Sequence, residues 1–113
     1  MIKAKAVQPE CPVETAMLLI SNKWKIFVLY ELLGGTKRFN ELLRNIPAIS
    51  QKVLTQNLRS MEQDGLVRRR VFAEVPPRVE YSLSELGGTL NPVIEALNKW
   101  GAQYQESAGW KNA

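Results

Sequence analysis

The sequence has no histidine and a single cysteine, Cys11. These two counts exclude an intrachain disulfide, an ordinary zinc cluster of histidine and cysteine ligands, and catalysis by His-based triads or Cys–His dyads. No apolar run approaches the length of a membrane span, and no signal segment opens the chain. We therefore expect a cytoplasmic protein that is not an enzyme and uses no metal or other cofactor.

The basic charge is concentrated in one part of the chain. The 113 residues suit a single domain, and their net charge is +4. Between residues 37 and 78 there are nine Lys/Arg and four Asp/Glu, so this segment carries all of the excess. Local positive charge supplies the sequence-independent part of nucleic-acid affinity, although a role in solubility would leave the same pattern.

Residues 50–65 have the pattern of one amphipathic helix with both ends marked. Ser50 is a helix N-cap residue, and Gly65 can adopt the left-handed conformation that ends a helix. An apolar stripe of Leu54, Leu58 and Met61 predicts the buried face. The opposite face carries cations, amides and a hydroxyl that can reach base edges and phosphates from the major groove: Lys52, Thr55, Gln56, Arg59 and Gln63. A solvated helix face is the alternative interpretation.

Other helices are predicted on both sides of this one. Helical periodicity and capping residues indicate a short helix at 12–20, a central core helix at 23–33, a short helix at 41–45 capped by Asn40, and a long helix at 85–105 capped by Ser84. The aromatic side chains of the core helix are interpreted as core packing, and a platform for stacking bases is the alternative. Gly87-Gly88 and Pro92 predict a kink early in the last helix. Residues 36–38 are expected to be an extended link.

After Gly65 the apolar period changes to that of β-strands. Residues 66–73 and 78–83 predict a hairpin, whose turn contains Pro76 and Pro77 and whose rim carries arginines. Two short helices joined by a tight turn and followed by a hairpin are typical of a winged helix-turn-helix, a mainly α fold with a small β-hairpin. An edge hairpin kept soluble by arginine is the alternative.

The predicted last helix carries more apolar surface than so small a domain readily buries, which favours dimerisation. We expect a flexible arm at residues 1–10, one domain at 11–105 and a frayed tail at 106–113. The apolar positions of the helix are Leu86, Leu90, Val93, Ile94, Leu97 and Trp100.

Several segments, in chain order, resemble the HxlR-type winged helix-turn-helix transcriptional regulators. They are Cys11-Pro12-Val13-Glu14, Lys23-Trp24, and residues 38–42, 49–55, 58–59, 65–67, 75–83 and 85–87. The resemblance spans about residues 11 to 101 and implies a dimeric, bacterial-type DNA-binding regulator with the first and last helices at the dimer interface. Two features depart from the family pattern: Ser21-Asn22 stand where Gly-Gly is usual, and Asn57 stands where a basic residue is frequent.

The resemblance gives Cys11 a candidate role, since several family members use a cysteine at this position to sense oxidants or electrophiles. The positive end of a helix favours the thiolate, which is the nucleophilic form of cysteine. Glu14, one turn later, opposes that effect. A structural cysteine at the dimer interface is the alternative, and the effector itself is not identified.

The resulting hypothesis is a homodimer that binds a pseudo-palindromic operator. A recognition helix at about 51–64 lies in the major groove, and a wing at about 66–83 lies on the flanking backbone. The predicted DNA-binding residues are Lys37, Arg38, Ser50, Gln51, Lys52, Thr55, Gln56, Arg59 and Arg78. A winged-helix adaptor that binds proteins instead of DNA is the alternative function.

Overall fold

The computed structural model describes residues 10–110, so the predicted arm at 1–10 lies outside it except for Glu10. The elements follow in the order α1 (Pro12–Ile20), α2 (Lys23–Leu33), β1 (Lys37–Arg38), α3 (Phe39–Asn45), α4 (Gln51–Gln63), β2 (Val67–Phe72), β3 (Arg78–Leu83), α5 (Glu85–Gly88) and α6 (Asn91–Ser107). The fold is the predicted winged helix-turn-helix, with α3 and α4 forming the helix-turn-helix and β2–β3 the wing.

Local capping sets most helix boundaries. Pro12 opens α1, where its missing N–H is no loss, and the Asn22 side chain accepts a hydrogen bond from the Trp24 amide at the start of α2, at 2.8 Å. The predicted bounds of both helices are confirmed. The predicted Asn40 cap is wrong: α3 begins two residues earlier than predicted, at Phe39, and the Glu41 carboxylate accepts from the Arg38 amide at 2.9 Å.

The sheet has three antiparallel strands in the order β1–β3–β2. The predicted extended link at 36–38 contains a strand, since Lys37 pairs with Tyr81 and Arg38 pairs with Glu80. On the other side of β3 the hairpin register runs from the Val67–Leu83 pair to the Phe72–Arg78 pair. Strand β1 therefore connects the start of α3 to the wing.

The core is built between α2, α4 and the sheet. Its α2 side chains are Val28, Leu29 and Leu32, and its α4 side chains are Leu54, Leu58 and Met61, all at most 3% exposed. The prediction that the α2 aromatics all pack inward is wrong for two of them, because Phe27 is 39% and Tyr30 58% exposed. Both lie on the side of α2 that the three buried residues do not occupy.

The predicted long C-terminal helix is two helices. Ser84 caps α5, and its Oγ accepts from the Gly87 amide at 2.9 Å. The expected kink is a full break between Gly88 and Asn91, and Pro92 stands in the first turn of α6. Helix α6 ends at Ser107, two residues beyond the predicted end, and Trp110 packs edge-on against Tyr104 with ring centroids 5.5 Å apart.

Between residues 10 and 110 no helix is long and apolar enough to cross a membrane. Within the same range no group of three or more His, Cys, Asp or Glu side chains is arranged to hold a metal ion.

A close backbone contact fixes α5 against the start of the wing. Gly87 is buried, and a Cβ atom placed on it would overlap the carbonyl oxygen of Leu66. The neighbouring Gly88 is exposed, and a Cβ atom there would meet nothing within 4 Å. Glycine at position 87 is therefore required by packing, whereas glycine at position 88 is not.

We expect Gly87→Ala to lower the free energy of unfolding by about 3 kcal/mol, because the added methyl group forces the α5 and Leu66 backbones apart. The matched variant Gly88→Ala should leave stability unchanged or raise it by less than about 1 kcal/mol. Urea unfolding followed by circular dichroism measures both. Equal stability of the two variants would contradict the close approach.

Candidate nucleic-acid interface

Helix α4 is held at both ends by local structure. In the turn before it, Ala48 has a φ of 65°, and Ile49 is buried. The Ser50 Oγ then accepts a hydrogen bond from the Val53 amide at 3.1 Å, which confirms the predicted cap. Gly65, just beyond the other end, has the predicted left-handed conformation, with a φ of 80°.

The two faces of α4 are divided as the periodicity indicates. The apolar stripe is buried in the core, and the side chains of Gln51, Lys52, Gln56 and Arg59 are exposed. Thr55 is half-buried, and its hydroxyl donates to the Gln51 carbonyl oxygen at 2.9 Å. The exposed face therefore presents two cations and two free amides to solvent.

Asn57 lies beside the apolar stripe and is buried, with 7% of its surface exposed. Its side-chain amide donates to the Val53 carbonyl oxygen one turn earlier, at 2.8 Å. The side chain is therefore used inside the helix and takes no part in the exposed face.

A polar groove of about 320 Å³ separates α4 from the sheet. Arg69 of β2 lines it together with Thr55, Arg59 and Glu62 of α4, so a carboxylate lies beside the two arginines. Arg69 pairs in register with the buried Tyr81, so both side chains point from the same face of the hairpin toward the helix. Arg69 is missing from the predicted set of DNA-binding residues. The alternation of side chains along β2 assigns Arg69 to one face of the hairpin, but the sequence does not show which of the two faces lies toward α4.

Arg78 is held by side chains of the wing itself. Its two terminal nitrogens donate to Glu80 Oε2 at 2.6 Å and to Glu74 Oε2 at 2.8 Å. Its guanidinium carbon also lies 3.7 Å from the centre of the Phe72 ring. The hydrogen bond with Glu74 raises the pKa of Arg78 above its already high ordinary value, so the group stays charged.

The residues of β1 divide between two surroundings. Lys37 is half-buried, and its Nζ donates to the Glu31 carbonyl oxygen at 3.3 Å, near the C-terminal end of α2. Arg38 is exposed and lines a cleft of about 450 Å³ between the start of α3 and the wing tip, together with Asn40 and Arg78. Of this pair, Arg38 is the residue that lies beside the wing tip.

Cys11 is exposed, and it stands directly before α1. Its carbonyl oxygen accepts from the Thr15 amide at 3.1 Å, which begins the helix. The thiol thus belongs to the terminal helices and to a different element from the α4 residues.

The model of one protein family, described as HxlR-like helix-turn-helix, matches residues 19–108. The uncharacterised HTH-type transcriptional regulator YdeP of Bacillus subtilis (strain 168) is 50% identical over 96 residues, which cover 85% of this chain and 75% of YdeP. In three dimensions the chain is similar to the redox regulator HypR in its oxidised form, with a TM-score of 0.78 and 47% identity over 82% of this chain and 96% of HypR. The reduced form of HypR gives a TM-score of 0.83 and 42% identity over 89% of this chain and 100% of that one.

These matches span most of the chain and include both the recognition helix and the wing. The fold, the exposed face of α4 and the relatives agree on one kind of protein. The chain belongs to the HxlR-like helix-turn-helix family and is a DNA-binding transcriptional regulator, not an enzyme.

Proposed function

We propose that two copies of this chain bind a pseudo-palindromic operator, with each α4 in a major groove and each β2–β3 wing on the flanking backbone. The half-sites would lie about one helical turn of DNA, or a multiple of it, apart. The carrying observation is the exposed face of α4, which presents the cations of Lys52 and Arg59 and the amides of Gln51 and Gln56, with the exposed carboxylate of Glu62 three residues after Arg59. Because the ligand is chromosomal DNA, the expected cytoplasmic location follows from this function.

The roles within the contact set follow from side-chain chemistry. Gln51, Gln56 and Thr55 are best suited to base edges, while Lys52 and Arg59 suit phosphates or guanine. Arg38, directly before α3, and Ser50, directly before α4, are assigned to contacts with the DNA backbone. Direct DNA contact by Lys37 and Arg78 stays a prediction, and each of them donates to an acceptor within the chain.

Dimerisation through the terminal helices is supported by their exposed apolar surface. Large apolar side chains on α1 and α6 are between 40% and 69% exposed: Val13, Met17, Leu18, Val93, Leu97, Trp100 and Tyr104. On α6 the last four of these recur at helical spacing and form one stripe. An exposed apolar stripe along a helix of 17 residues is typical of an interface, and a second copy supplies a matching surface by symmetry.

A thiol switch at Cys11 is a second proposal, favoured by the similarity to HypR, a redox regulator with oxidised and reduced forms. Cys11 is exposed directly before α1, so an oxidant or a second thiol can reach its sulfur. Because the chain has one cysteine, any disulfide must join two chains or link Cys11 to a small thiol. Diamide would oxidise two such thiols, accept their two hydrogens and leave one disulfide.

Two substitutions on α4 test its role as the recognition helix. Lys52→Ala and Arg59→Ala should weaken binding to an operator selected from genomic DNA. Each lost phosphate contact should reduce the slope of log K against log salt by about 2 per dimer, because both subunits lose it. Fluorescence anisotropy over a salt series measures this, with Lys99→Ala on α6 as the matched control. An unchanged slope in both α4 variants would exclude this placement of the helix, and absence of binding to any duplex would favour the adaptor.

The dimer prediction uses two faces of α6. Leu97→Glu places a charge in the apolar stripe and should give a monomer, whereas Ala102→Glu on the opposite face should leave the dimer intact. Sedimentation velocity distinguishes the masses of one and two chains. Dimers of equal stability in both variants would place the interface elsewhere.

The Cys11 prediction is tested with diamide. Treatment should change operator affinity at least severalfold in the wild type, dithiothreitol should reverse the change, and Cys11→Ser should not respond. An equal response of both proteins would remove Cys11 as the switch without affecting the DNA-binding proposal.

A further inference from the structure

Arg78 connects three parts of the wing. It reaches Glu74 in the turn and Glu80 on β3, and its guanidinium stacks on Phe72 of β2. Phe72 and Arg78 are also the last pair in register before the turn. We call this set of four side chains the wing clasp.

The turn closed by the wing clasp has few other bonds to hold it. Pro76 and Pro77 have no backbone N–H to donate, and the side chain of Val75 is fully exposed. The Glu74 amide bonds to the Phe72 carbonyl oxygen at 2.8 Å. Without the clasp, the shape of the tip would depend mainly on local backbone geometry.

The clasp also leaves Arg78 poorly placed to contact a phosphate. Both terminal nitrogens are engaged by carboxylates, and the side chain is only 25% exposed. Two negative charges beside one positive charge give the set a net negative charge, which repels an approaching phosphate.

Arg70 has the opposite properties. It is exposed, and within residues 10–110 it makes no ion pair. Its guanidinium carbon lies 4.7 Å from the centre of the Phe72 ring, so the ring steadies it without neutralising it. Arg70 also pairs in register with Glu80, which is itself part of the clasp, so the direction of Arg70 depends on the same strands.

We propose that Arg78 acts on DNA indirectly, as a positioning residue that fixes the wing tip, and that Arg70 is the wing cation that contacts the phosphate backbone. The proposal rests on DNA binding by the wing. Arg78 thereby fixes the direction of Arg70, through the Phe72 ring that both guanidinium groups contact and through the pairing of the two strands.

Charge-conserving substitutions separate the two roles. A lysine at position 70 keeps a point charge for a phosphate, so Arg70→Lys should retain affinity within about threefold. A lysine at position 78 cannot bridge two carboxylates and stack on a ring at once, so Arg78→Lys should weaken binding at least about fivefold and lower the salt slope by up to about 2 per dimer, because the Arg70 contact is lost. Arg70→Ala should reduce that slope by about 2 per dimer.

A double-mutant cycle tests whether Arg78 acts through Arg70. In the Arg70→Ala background, Arg78→Lys should cause little further loss, since the contact it positions is already gone. A general loss of folding would weaken binding in both backgrounds. Independent, multiplying effects would therefore overturn the proposal, as would wild-type affinity of Arg78→Lys.

A measurement without DNA separates failure of the clasp from failure of DNA binding. Amide hydrogen exchange of residues 73–80, followed by mass spectrometry, should be faster in Arg78→Lys than in wild type and unchanged in Arg70→Lys. If the wild type bound no duplex, the proposed function and the role of Arg70 would fail together. Equal exchange in all three proteins would overturn the positioning role of Arg78 whatever the DNA result.

Discussion

The packing of α4 against α2 determines what the rest of the molecule can present to a ligand. Leu54, Leu58 and Met61 are buried beside the α2 core residues, and this contact leaves α4 no freedom to rotate about its axis. The exposed face is then decided by the helical period, because residues near 180° from the stripe must point outward. The positions of Lys52, Gln56 and Arg59 follow from the core rather than from any interaction of their own.

Once α4 is fixed, intramolecular partners decide which cations remain available. A count of charges along the chain does not distinguish Lys37 and Arg78 from Arg59 and Arg70. In the structure, however, Lys37 donates to a carbonyl oxygen of α2, and Arg78 donates to two carboxylates. Binding of a phosphate to either would have to displace these partners. The local basic excess therefore overstates the number of cations without an intramolecular partner. The arginines of β2 are exposed and, within residues 10–110, form no ion pair, although the predicted set leaves them out.

The extent to which this structure could be predicted depends on where its signals lie in the chain. The ends of α1, α2 and α4 were predictable because each is set by nearby residues: Pro12, Asn22, Ser50 and Gly65. Strand β1 has only two residues, too few to show a period, and it forms because β3 offers a free edge more than forty residues later. The clasp depends in the same way on strand register, and the faces of the hairpin depend on packing with α4. Long-range pairing of this kind leaves no local pattern to read.

Helix α5 is connected to the segment between α4 and β2 by two hydrogen bonds of Ser84 and one close backbone contact. Ser84 Oγ donates to the Gly65 carbonyl oxygen at 2.6 Å, and the Ser84 amide donates to the Leu66 carbonyl oxygen at 3.0 Å. Gly87 presses against the same Leu66 carbonyl, so the end of α4, the start of β2 and the whole of α5 meet at one point. A displacement of α5 must either carry the end of α4 with it or break these bonds. A connection is not yet a switch, because coupling between two sites needs an element with two stable arrangements. The close packing at Gly87 leaves little space for a second arrangement there, whereas a Cβ atom added to Gly88, the last residue of α5, would meet nothing within 4 Å. A hinge would therefore meet less steric resistance at the junction of α5 and α6 than at Gly87.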